Sequence, residues 1–170
     1  MLLNFLFFLL SSTNQSSDLS NAYVSFEVSH LGVLTVEGSF SEITGELRQE
    51  GGIWLAEGEI KVESINTGNT TRDRTILTLP YLNEDEYPTI PFKIRMDLSS
   101  DAVAIQIDGQ IRGLPFEIAS QLVVVDNQLV SLPITVDRKA IGLDFGSMDA
   151  LIGNEITLVI HTGLKPEMID

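Results

Sequence analysis

Two histidines, an Arg-Asp-Arg triplet and a run of three acids are the side chains in this sequence with chemistry to offer. His30 ends the stretch YVSFEVSH, where Val24, Phe26 and Val28 share its parity and Ser25, Glu27 and Ser29 face the other way. A polar ring on an apolar face needs a hydrogen-bond partner, so His30 is either a structural histidine or a group near the polar end of a ligand. His161 has the opposite parity on its own strand, and no carboxylate cluster stands at ligand spacing, which argues against catalysis and metal binding. Arg72 and Arg74, on either side of Asp73, offer donors suited to an anionic or polar ligand head, or else a local ion pair between Asp73 and a neighbouring arginine. Arg112 and Arg138 carry the same two alternatives. Glu84, Asp85 and Glu86 lack the alternating oxygen spacing of a calcium loop and read as a solvated helix start. No G-x-S-x-G, P-loop or dinucleotide fingerprint occurs, and Asn69-Thr70-Thr71 fits a glycosylation acceptor, a triplet common by chance.

The elements that must position these groups are strands. Period-two alternation runs through Tyr23 to His30, then from Leu34 to Leu47 with a bulge or bend near Ser41 and Glu42, then from Trp54 to Val62. It resumes at Ile90 to Met96, Val103 to Ile111, Phe116 to Leu122, Val130 to Val136 and Ile156 to Ile160. Turns are expected at Gly32, Gly51-Gly52, Ser99 to Asp101, Gly113 and Asp126-Asn127. Between the third and fourth strands, Asn69 or Thr70 caps a short helix from Thr70 to Leu79 that Pro80 ends, and a further helical turn is expected from Asn83 before Pro88. About eight amphipathic antiparallel strands satisfy a sandwich or a barrel. Closure removes edges, and Gly38, Gly45, Gly58 and Gly109 allow bending around a lumen, so the barrel is favoured. The helical insert then closes one mouth, and the irregular stretch from Lys139 to Gly153 supplies Phe145 and Met148 as plugs.

Composition sets the outer limits. The 170 residues fit one domain large enough for its own core, and the absence of cysteine removes disulfides and thiolate chemistry. A formal net charge of -14 repels nucleic acid and anionic membrane surfaces. The opening MLLNFLFFLL, followed by SSTNQSSDLSN, resembles the apolar region of an export signal but has no basic start, and it is too short for a membrane span. The expected division is a leader over 1–21, a barrel domain over 22–163 and a loose tail over 164–170.

Several stretches resemble the YceI-like family: SFEVSHLGVLTVEGSFSEITGEL, INTGNTTRD followed by EYPTIPFKI, and more weakly GQIRGLPFEI, RKAIGLDFG and GNEITLVI. The resemblance implies an all-β, eight-stranded lipocalin-like antiparallel barrel with a short helical insert, exported to the periplasm. It implies a binding protein, not an enzyme, whose ligand is a polyisoprenoid such as an isoprenoid quinone or prenyl phosphate, with no resident cofactor. The residues expected to meet that lipid are Phe26, Val28, His30, Val36, Phe40, Trp54, Ile60, Arg72, Ile76, Phe92, Ile94, Ile105, Phe116 and Ile134. Alternatives are a stress-related structural barrel without lipid, or an isoprenoid-acting enzyme using His30; a homodimer is compatible with either. The chain departs from the family pattern where LPYLNEDE replaces an aromatic pair, in its SSDLSNA opening, and in the short turn at Asp126 and Asn127.

Overall fold

The computed structural model describes residues 17–50, 52–97 and 103–165. The apolar run over 1–10, Gly51 and the expected turn at 99–101 lie outside them. Twelve strands form: β1 (Ser17–Asp18), β2 (Tyr23–His30), β3 (Leu34–Phe40), β4 (Ile43–Glu50), β5 (Ile53–Lys61), β6 (Ile65–Asn66), β7 (Thr89–Asp97), β8 (Val103–Ile111), β9 (Leu114–Val125), β10 (Gln128–Ser131), β11 (Ile134–Asp137) and β12 (Ile152–His161). The helix α1 (Thr70–Leu77) lies between β6 and β7.

All pairings are antiparallel, in the order β1-β4-β5-β7-β8-β9-β10-β12-β2-β3-β6, with β11 also on β12. β3 and β4 are one run of chain broken only at Ser41 and Glu42, so the first part pairs with β2 and the second with β5. Both sides of the curled sheet therefore end on the same run. β5 with β6, and β10 with β11, are likewise single staves broken once. Counted this way, the twelve strands are the edge strand β1 and the eight staves that the alternation predicts.

Turn chemistry and glycines shape the curl. Asp126 and Asn127 both have positive φ (49° and 60°), the primed turn whose twist suits a tight hairpin between β9 and β10. In cross-strand register lies the row Gly45, Gly58, Phe92, Gly109, Phe116. A Cβ at Gly58 would meet the Thr44 carbonyl oxygen at 2.2 Å, and one at Gly109 would meet the Phe116 ring at 2.4 Å. Neighbouring backbones and rings thus occupy the space that side chains would fill, and the sheet bends there. Phe26 covers Gly38 in the same manner.

Inward-facing residues of all staves form one apolar cluster. Leu47, Trp54, Met96, Ile105, Leu122 and Leu129 are each no more than 3% exposed and pack one end solid. Residues 17–21 and 164–165, assigned by sequence to leader and tail, belong to the fold. Leu19 and Leu164 are 5% and 2% exposed, β1 pairs with β4, and the Leu129 N–H donates to the Leu164 carbonyl at 2.9 Å. Both leucines stand isolated in polar runs, so no periodicity announces them.

Candidate functional site

The curl surrounds a partly open apolar cavity of about 150 Å³. Its wall comes from Val24, Phe40, Ile43, Ala56, Ile60, Ile90, Phe92, Ile94, Ile107, Ile111, Phe116, Ile118, Ile134, Leu158 and Ile160 of the staves, with Ile141, Leu19, Ala22, Thr162 and Leu164 from the connecting and terminal segments. An apolar cavity of this size stays dry and accepts one small apolar group. A larger hollow of about 610 Å³ lies along Gly58 and Gly109, but it is open to solvent and bordered by Glu57, Lys93, Asp108 and Glu117.

Two covers meet over the insert end of the lumen. The first is the insert itself. Asn69 caps α1 by accepting from the Thr71 and Arg72 N–H groups, and α1 ends at Leu77, two residues short of the expected limit. The expected helical turn after Asn83 is present as a single turn, with Asn83 at φ 52° and the Glu86 and Tyr87 N–H groups donating to its carbonyl. Tyr81 and Leu82 are buried beneath it.

The second cover is the chain between β11 and β12, and Arg138 holds it. Its fully buried guanidinium donates to the carbonyls of Gly153 (2.9 Å), Leu143 (2.7 Å) and Ile152 (3.2 Å) and to the Asp149 carboxylate (2.8 Å). Hydrogen bonding from Lys139 first, then from the Phe145 N–H, and also from Arg138 holds the Asp149 carboxyl well below the usual carboxylate range. Ile141, Leu143 and Phe145 are buried under this loop, and the guanidinium carbon stands 4.6 Å from the Phe145 ring centre. Phe145 in turn meets Tyr81 of the insert at 4.9 Å between ring centres, which joins the two covers.

Of the fourteen residues expected at the ligand, the structure gathers Phe40, Ile60, Phe92, Ile94, Phe116 and Ile134 around the cavity. Trp54 and Ile105 have the inward parity but lie in the packed end layer. Phe26 and Ile76 pack against the core beside the cavity, and Val28 and Val36 are half-buried further along β2 and β3, outside its wall. His30 is half-buried at the end of β2, opposite Leu34 and Ile152, also outside the cavity wall. Arg72 donates to the Thr67 hydroxyl (2.8 Å) and carbonyl (2.6 Å), so its fork is engaged within the insert. Asp73 accepts from the Thr67 N–H (3.0 Å) and hydroxyl, and not from an arginine as the ion-pair alternative required. His161 stacks on Tyr23 with ring centres 4.0 Å apart and pairs with the Ser25 hydroxyl at 3.2 Å on the outer face. No hydrogen bond joins the other ring nitrogen to a carboxylate among the described residues, so the pair lacks the third group of a nucleophile relay. Among the described residues no group of three metal-ligating side chains forms, and no helix is long and apolar enough to cross a membrane.

A family model for the YceI-like domain matches residues 16–164. No curated protein matches the chain. Solved structures with the same fold include a polyisoprenoid binding domain from Saccharophagus degradans implicated in plant cell wall breakdown, at 15% identity, with a TM-score of 0.67 and coverage of 87% of this chain and 96% of that one. BcnA of Burkholderia cenocepacia is similar at 13% identity, TM-score 0.65, covering 85% and 96%. A YceI protein of Campylobacter jejuni is similar at 18% identity, TM-score 0.59, covering 78% and 85%.

Proposed function

The chain belongs to the YceI-like domain family, and from that premise we propose that it is a non-catalytic carrier or store for an isoprenoid-type lipid held in the lumen. The observation that carries the reading is a cavity with an almost wholly apolar wall, lined by the staves, by Ile141 of the second cover and by the segments around Leu19 and Leu164. The polyisoprenoid-binding relative of the same fold supports the choice of lipid class. Burial contributes about 25 cal/mol per Å² of apolar surface, so an isoprenoid chain has a strong drive to enter once the covers part. The cavity as it stands accommodates about one isoprene-sized group, so a longer chain has to displace the covers or part of the core.

That small volume favours one rival reading, a stress-related structural barrel filled by its own side chains. The two readings separate cleanly. Native mass spectrometry and lipid extraction of protein purified from cells show stoichiometric isoprenoid if the lumen is a binding site, and an isoprenoid raises Tm by mass action. Neither retained lipid nor stabilisation by any isoprenoid alcohol, quinone or phosphate would leave the filled barrel standing and overturn the carrier. We also propose export to the periplasm, supported by the apolar opening over residues 1–10, with fractionation of cells as its test.

A further inference from the structure

Four arginines were candidates for a ligand's polar head; Arg74 is exposed on α1, and of the three that are buried or half-buried Arg112 has the most donors to spare. Arg138 gives its donors to backbone carbonyls and Asp149, and Arg72 gives its own to Thr67. Arg112 makes one hydrogen bond, from Nη1 to the Pro80 carbonyl of the insert at 2.7 Å. Its Nε is shut off from solvent with no acceptor, and no ion pair among the described residues includes it. The Tyr87 ring stands beside the turn, 3.4 Å from where a Cβ on Gly113 would lie, and Glu86 is occupied by Asn83 and by the Tyr87 hydroxyl, which it holds above the ordinary phenol range.

Position strengthens the case. Arg112 follows Ile111, which lines the cavity, and its bond to Pro80 spans the seam between the β8–β9 hairpin and the insert. It also stands at φ 51° as the first of two positive-φ residues, with Gly113 at 75°. Primed turns favour asparagine, aspartate or glycine there, so an arginine is held in that turn at a conformational cost. A half-buried cation without a counter-charge is incomplete on its own, and a guanidinium has five donors in a fork that matches phosphate.

We infer that Arg112 receives the anionic, phosphate-type head of a prenyl lipid at the seam between hairpin and insert. This rests on the lumen being the lipid site, and it goes further by choosing a charged head over a neutral alcohol or quinone. The test uses the full chain, delipidated, with geranylgeranyl phosphate and geranylgeraniol as probes of equal chain length. The phosphate is expected to bind about tenfold tighter or more, as a hydrogen bond to a charged partner allows. Arg112→Met brings the two Kd values together by weakening the phosphate alone, with the alcohol's Kd unchanged within about twofold on the same scale. Arg112→Gln retains an amide donor without the charge, and is expected to lose the preference equally. Equal binding of both lipids by the native chain, or a preference that survives in either folded variant, overturns the assignment of the head. Failure of the native chain to bind either lipid overturns the lumen reading itself, and this inference with it.

Discussion

Replacing Arg138 by methionine removes a buried cation from a pocket built of backbone. The substitution deletes the bonds to Gly153, Leu143 and Asp149, all between 2.7 and 2.9 Å, and the longer one to Ile152 at 3.2 Å. Methionine fills much of the volume but donates nothing, so the carbonyls of Leu143, Ile152 and Gly153 lose a partner where water has little access. Removing one partner of a buried charged cluster costs about 3–5 kcal/mol. The lower end applies here, because Asp149 is 18% exposed and keeps Lys139 and the Phe145 N–H. For a chain of this size, about 3 kcal/mol lowers Tm by roughly 6–12 °C. Trp54 is the single tryptophan and is 3% exposed, so its emission reports unfolding directly. Arg48→Met is the control, since Arg48 pairs with Glu50 and Glu57 at the surface with a side chain 39% exposed, and such exposed, solvent-screened pairs contribute little. An Arg138→Met protein that melts within 2 °C of the native chain, or no lower than Arg48→Met, would refute the claim that this guanidinium holds the second cover.

Gly58→Ala is expected to cost about 1–3 kcal/mol in urea unfolding, because the new Cβ runs into the Thr44 carbonyl 2.2 Å away. Gly38→Ala costs less, since its obstacle is the Phe26 ring, which can swing aside; the reverse ranking would contradict the account of the bend. Ala56→Phe places a ring in the cavity wall, so the Tm rise given by an isoprenoid alcohol should vanish while the strand signal in circular dichroism persists. Burial lowers the His161 pKa, so the unfolded chain takes up the proton first and stability falls as pH drops below about 6.5, with no change above it. His161→Phe keeps the stack on Tyr23 and should flatten that slope below about pH 6.5; an unaltered slope would assign it to other groups.

Strand positions were legible because each stave is buried on one face, and a half-buried strand writes its pleat into the sequence as alternation. The bend at Ser41 and Glu42 and the turns at Gly113 and Asp126-Asn127 were readable for the same reason, together with their turn chemistry. Height along the barrel was not readable. Trp54 and Ile105 have the same parity as Ala56 and Ile107, yet the first pair plugs one end and the second lines the cavity, because parity records the face of a strand and not its layer. Arg138 was legible as a head donor or an ion-pair partner, and it pairs with Asp149, but its backbone partners were not readable. Its acceptors are mostly carbonyls, which every residue carries, so nothing in the side-chain pattern marks them. The Asp73 pairing was misassigned because Thr67, six residues away across a turn, competes with arginine only once the loop has its shape.

The neighbouring ends of the barrel change what the order of the polypeptide means. A Cβ on Gly163 would come within 2.8 Å of the Asn21 backbone, so the first and last segments lie side by side. The connectivity is close to a ring that happens to be cut between them. Val33, 84% exposed beside Gly32 at the tip of the β2–β3 connection, is an equivalent place to cut. A circular permutant opened there, with residues 165 and 17 bridged by a short Gly/Ser link, keeps every ladder and both covers. Such a permutant, folded with the circular dichroism and Trp54 emission of the native order, would show that the ladders among residues 17–165 do not depend on where the chain is opened.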